Sequence, residues 1–79
     1  MAERLEEVIG SVLGVPAEIL SDDSSADNTE SWDSLRQLSI LLAVESAYGI
    51  SITTDDAVDM NSIAAIKAVL KRHGVEIDS

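Results

Sequence analysis

The 79-residue sequence contains no cysteine, which excludes disulfides, thiolate metal sites and thiol nucleophiles. Fifteen acids against five bases give a formal net charge of -10, which opposes binding to nucleic acid or anionic membranes and favours partners with basic patches. Hydrophobic residues make up 46% of the chain, yet there is one Trp, one Tyr and no Phe, so the core must be aliphatic and the composition points to an all-α domain over residues 1–79 with no deep active-site cleft.

The opening Met-Ala-Glu-Arg lacks the apolar core of a secretion signal, and no apolar run approaches a membrane span, so a cytoplasmic protein is expected. Leu5, Val8, Ile9, Val12 and Leu13 recur at the spacing that puts apolar side chains on one helix face, with Glu3, Glu6 and Glu7 opposite or in the first turn. Gly14 and then Pro16 end this helix near Leu13. Residues 16–20 fit a single turn, with Ile19 and Leu20 expected to reach the core and tie down the loop that begins at Ser21.

Residues 21–31 are rich in Ser, Asp and Asn, whose side chains compete for backbone hydrogen bonds and disfavour helix. Glu18, Asp22, Asp23, Asp27, Glu30 and Asp33 fall in one stretch without a base. An EF-hand register starting at Asp22 or Asp23 lacks both the glycine at position six and the glutamate at position twelve, so no specific calcium site is expected.

A second helix runs from about Ser34 to Tyr48, with Gly49 as its stop. Ile40, Val44, Ala47 and Tyr48 form one apolar stripe on it and Leu35, Leu38 and Leu42 another. Either the helix is the buried centre of a bundle or the second stripe is half exposed beside Ser34 and meets a cargo or partner. Ser34 itself can be a helix cap, its hydroxyl accepting from first-turn N–H groups, or a residue that carries chemistry at the end of the longest loop. Trp32, two residues earlier, can be an anchor for the acidic loop or a docking contact.

Residues 50–52 read as a connector, and Thr53 or Thr54 caps a short helical turn with Asp55 and Asp56 at its positive end. Asn61 or Ser62 caps a final helix whose apolar face is Ile63, Ile66, Val69 and Leu70. Lys67, Lys71, Arg72 and His73 complement its negative end, Gly74 stops it, and a frayed tail is expected from about Val75. His73, the only histidine, has no partner placed near it by sequence and reads as a helix-end cation.

This order of a helix, a long acidic loop, Asp33-Ser34-Leu35 at the head of a second helix, a short third helix and a capped fourth resembles the acyl carrier protein family over about residues 5–73. The resemblance implies a small four-helix bundle of the stand-alone type, in which Ser34 accepts a covalent 4'-phosphopantetheine, Asp33 is the preceding acid and Leu35 the apolar residue after the serine. It also implies a partner face containing Glu45, Asp55 and Asp56, to which Trp32, Arg36, Leu38 and Leu42 are added as candidate contacts. Implied partners are a phosphopantetheinyl transferase, an enzyme that loads an acyl or aminoacyl group, and downstream biosynthetic enzymes. The chain would be a monomeric carrier and not an enzyme, with no metal. It departs from the common fatty-acid carriers in having Ser31 where they have a glycine, then Trp32, and Arg36 and Ser39 where acids are usual. A stand-alone carrier in a specialised pathway, loaded with an acyl or aminoacyl group, is therefore as well supported as one of housekeeping fatty-acid synthesis, and the pathway is read as fatty-acid, polyketide or related. The competing class is a non-covalent helical adaptor that docks through Leu35, Leu38 and Leu42 and uses Ser34 only as a cap.

Overall fold

The computed structural model describes residues 4–75, in which the apolar spacing of the sequence is realised as four α-helices and one 3-10 turn. Helix α1 covers Leu5–Leu13 and buries Leu5, Val8, Ile9 and Leu13 along one face. Gly14 ends it at φ 74°, a left-handed conformation costly to any residue with a Cβ, and the N–H groups of Gly14 and Val15 both turn back to the Gly10 carbonyl. The 3-10 turn at Ala17–Ile19 comes directly after Pro16. Leu20 is buried there, but Ile19 is 65% exposed, so only one of the two residues expected to fasten the loop does so.

Helix α2 covers Ser34–Tyr48 and stops at Gly49, which adopts φ 64°. It packs chiefly against α1. Ile40 and Val44 are fully buried, whereas Leu35, Leu38 and Leu42 are 71%, 56% and 59% exposed, so the helix buries one stripe and turns the other to solvent.

Helix α3 covers Thr54–Asp59, with Thr53 Oγ1 accepting from the Asp56 N–H at 3.1 Å. Helix α4 covers Ile63–Arg72, with Ser62 Oγ accepting from the Ala65 N–H at 3.1 Å. Ile63, Ile66, Val69 and Leu70 are buried as their spacing implies. Met60, between the two helices, is also fully buried and pins α3 to the core at a position without a periodic signal. Val75 packs against the core, and the rest of the expected tail lies outside the described residues. Among the described residues no helix is long and apolar enough to cross a membrane.

Residues 21–31 form turns without helix. They are nevertheless laced to the start of α4: the Ile63 N–H donates to the Ser24 carbonyl at 3.0 Å, the Ala64 N–H to Asp22 at 3.3 Å, and the Ala26 N–H to Asn61 at 3.1 Å. Within the loop, Asn28 Oδ1 accepts from the Ser25 N–H at 2.9 Å and Asn28 Nδ2 donates to the Asp23 carbonyl at 2.8 Å. The short polar residues that disfavour helix thus supply the loop's own bonding.

Lys67 departs from the expected helix-end cation. It is buried, and its Nζ donates to Glu6 Oε2 of α1 at 3.1 Å and to Asp22 Oδ1 of the loop at 2.7 Å. The hydrogen bond to Asp22, assisted by Glu6 and opposed by burial, holds the Lys67 amine above the usual lysine range. Glu6 is buried too, and its Oε1 has no hydrogen-bond partner among the described residues. Removing the amine would leave a buried carboxylate uncompensated. Lys67→Met is therefore expected to lower stability at neutral pH by about 3 kcal/mol, and Lys67→Met with Glu6→Gln by clearly less, in urea titrations. Because the folded pKa is raised, this contribution is complete below the ordinary lysine value and is lost as pH rises through the folded one. The stability difference between wild type and Lys67→Met should accordingly shrink in strong alkali.

Candidate functional site

The junction of the acidic loop and α2 contains two adjacent residues able to cap a helix, and the structure assigns the role to the first. Asp33 has extended backbone, and its Oδ1 accepts from the Arg36 N–H at 2.8 Å. Its carbonyl accepts from the Gln37 N–H at 2.8 Å. Ser34 is consequently the first residue inside the helix. It is exposed, and its hydroxyl makes no hydrogen bond to the described residues. The N–H groups of Ser34 and Leu35 have no intrahelical acceptor at this end, where the helix dipole favours negative charge.

What fixes this junction is Trp32, which is only 2% exposed and packs with the core. Its Nε1–H donates to Gln37 Oε1 at 2.5 Å, while Gln37 Nε2 donates to the Met60 carbonyl at 2.6 Å. One side chain therefore joins the loop, the first turn of α2 and the α3–α4 link. Trp32 is thus placed as an anchor rather than as the exposed indole that the docking reading expects. Gln37 is not among the residues that the sequence singles out. Its spacing is a usable signal, since it stands three residues before Ile40 and seven before Val44, on the buried flank where a polar group must find partners.

Beside Ser34 lies an open groove of about 400 Å³, bounded by Trp32, Ser34 and Gln37 on one side and by Ala57, Val58 and Asn61 on the other. Leu35, Leu38 and Leu42 continue from Ser34 along the solvent face of α2. Arg36 is exposed and directs Nη1 toward the Val12 carbonyl in the last turn of α1, at a long 3.4 Å.

The expected partner-facing acids differ in what they bond. Glu45 is half-buried and its Oε2 accepts from the Ile52 N–H at 2.7 Å, which fastens the connector after α2. Asp56 accepts from Arg72 Nη2 at 3.1 Å and meets His73 Nε2 at 2.8 Å, so the sole histidine has a carboxylate partner that the sequence did not place. The hydrogen bond from His73, with help from Thr53 and Arg72, holds the Asp56 carboxyl below the usual range. Asp55 is exposed and unpaired among the described residues. Chemically, the site presents one unbonded hydroxyl at a positive helix end, with no Asp, Glu or His of the described residues in hydrogen-bond contact to activate it.

The chain is similar in sequence to known proteins of one family. The sequence profile of the family described as phosphopantetheine attachment site matches residues 3–70. A protein named acyl carrier protein, from Solidesulfovibrio magneticus, is 29% identical over 75 residues, a match covering 94% of this chain and 96% of that protein.

Two substitutions separate the parts of the junction. Trp32→Ala should cost about 3–5 kcal/mol in denaturant titrations, in line with other large-to-small core changes, and the wild-type indole should emit at short wavelength until the chain unfolds. Asp33→Ala should cost about 1 kcal/mol through the lost cap and leave the indole emission unchanged. The pairing of Asp56 has its own pH signature. A lowered carboxyl contributes stability above its unfolded pKa and loses it as pH falls through the folded value. The melting-temperature difference between wild type and Asp56→Asn should thus disappear in acid.

Proposed function

Since this chain belongs to the phosphopantetheine attachment family of acyl carrier proteins, we propose that Ser34 is the residue that takes the arm and that the chain carries an acyl or aminoacyl group to the enzymes of a fatty-acid, polyketide or related biosynthetic pathway. The observation that carries this reading is the free hydroxyl of Ser34 at the first position of α2, left unbonded because Asp33 occupies the cap. The adaptor alternative gives Ser34 the capping role, which Asp33 already fills.

The residues around Ser34 suit a phosphodiester. The open N–H groups of Ser34 and Leu35 and the positive end of α2 face the position where its anion would sit. Trp32 and Gln37 hold that helix end in place, and the groove toward Ala57 and Val58 gives an attached chain an apolar surface to lie along. When bound, the arm supplies a flexible tether ending in a thiol that holds the cargo as a thioester and raises its effective concentration at successive active sites. The chain's own work is positioning, and it is not an enzyme. No base beside Ser34 is needed, because a phosphopantetheinyl transferase supplies the chemistry of attachment. Its further partners are a loading ligase or transferase and downstream enzymes. We place the carrier in the cytoplasm as a monomeric domain, in keeping with a sequence free of cysteine.

Incubation with coenzyme A and a broad-specificity phosphopantetheinyl transferase should add one phosphopantetheine per chain, mapped to Ser34 by peptide mass spectrometry. Ser34→Ala should keep its helical circular dichroism and melting temperature but gain no mass. No gain in the wild type with several transferases, or a gain at Ser39 or Ser46, contradicts the assignment.

A further inference from the structure

The groove beside Ser34 is closed below and open above. Ala57 and Val58 of α3 make one wall, and Val58 is mostly exposed, so that wall stands in solvent. Trp32, the one buried residue among the described residues that line the groove, forms its floor together with half-buried Gln37. Both are engaged, since the indole N–H donates to Gln37 Oε1 and Gln37 Nε2 donates to the Met60 carbonyl. The core that Trp32 joins holds Ile40, Met60 and Ile63, each fully buried. A chain entering that core from the groove would have to part Gln37 from one of its partners, leaving an indole N–H or a backbone carbonyl unbonded among apolar groups. It would also have to displace close-packed side chains.

Resting on the carrier reading, we propose that the group carried on Ser34 is a short, polar acyl group that stays in solvent, and not a long alkyl chain withdrawn into the core, because the Trp32–Gln37–Met60 hydrogen bonds close the floor of the groove. The lining that remains is mixed. Ala57 and Val58 offer apolar surface, while Asn61 offers a carboxamide whose atoms are unbonded among the described residues. That surface suits a chain of amides and methyl groups such as the arm, but it leads to no deeper apolar space for what the arm carries. A long alkyl chain held there would keep most of its methylenes in water, whereas a short group with its own hydrogen-bonding atoms loses little by exposure. Asp33 is the only charged residue lining the groove among the described residues, and its Oδ2 is not used by the cap. An aminoacyl group, with a cationic ammonium, is therefore compatible with the same surface.

To test this, Ser34 is loaded from coenzyme A, 3-hydroxybutyryl-coenzyme A or octanoyl-coenzyme A by a broad-specificity phosphopantetheinyl transferase, and the three forms are compared. Both acylated forms should melt within about 1 °C of the form with the bare arm, and the emission of the buried Trp32 should be the same in all three. The octanoyl thioester should react with hydroxylamine within about twofold of the rate of octanoyl-coenzyme A, since a chain in solvent leaves it open to attack. Gln37→Ala removes part of the floor and leaves apolar space beside Trp32. It should slow that reaction about fivefold or more in the octanoyl form and leave the hydroxybutyryl form unchanged. A wild-type octanoyl form that melts about 4 °C or more above the bare-arm form, shifts the indole emission, or resists hydroxylamine about fivefold or more overturns the proposal. Equal hydroxylamine rates in Gln37→Ala and wild type overturn it as well, and the wild-type comparison decides alone should Gln37→Ala fail to fold. Absence of any mass gain from coenzyme A itself counts instead against the carrier reading.

Discussion

The arrangement around Ser34 depends on the two hydrogen bonds of Gln37. Its carbonyl oxygen accepts from the Trp32 indole and its amide nitrogen donates to the Met60 carbonyl, so the side chain satisfies a buried indole N–H and a backbone acceptor at once. Each partner belongs to a different segment. Trp32 is the large apolar anchor of the loop's end, and its bond to Gln37 ties that anchor to the first turn of α2. One residue after Trp32, Asp33 takes the cap and the hydroxyl of Ser34 is left free. The availability of one hydroxyl therefore depends on a core contact two residues earlier in the chain.

The same economy governs charge. In a chain of 79 residues with fifteen acids and five bases, three of the bases are placed to neutralise particular negative groups: Lys67 between Glu6 and Asp22, Arg72 on Asp56, and Arg36 over the end of α1. The Lys67 pair fastens the loop to both α1 and α4, while Trp32 fastens its other end to α2. The loop is therefore held at both ends although it contains no helix. The acids without a base partner include Asp23, Asp27, Glu30 and Asp33 on one side of Ser34, while Leu35, Leu38 and Leu42 lie exposed on the other.

Much of this is legible in the sequence because the signals are local. The apolar spacing of α1 and α4, the glycine stops at Gly14 and Gly49, and the caps at Thr53 and Ser62 each depend on residues within about a turn of one another. The family resemblance adds to these local marks the length, charge and helix order of the chain, together with the Asp33-Ser34-Leu35 run. Three features are not legible, since each joins residues far apart in sequence: Lys67 to Glu6, Gln37 to Met60, and His73 to Asp56. Spacing shows which face of a helix is apolar but not which polar residues will meet across elements. That is why Lys67 reads as a helix-end cation in the sequence, and Glu45 and Asp56 as free surface acids. The sequence reading considers only Ser34 as the cap of α2, whereas the structure gives that role to Asp33.

The central claim, that the Trp32–Gln37 contact sets the start of α2 and so frees Ser34, is tested most directly by a double-mutant cycle. Trp32→Phe keeps an aromatic ring but removes the N–H, and Gln37→Leu keeps the volume but removes the acceptor. The two changes should be coupled by about 1 kcal/mol or more in denaturant titrations. The rate at which a transferase modifies Ser34 should fall in either single variant and fall little further in the double. Strictly additive stabilities, with the modification rate at wild-type level in all three variants, would contradict it.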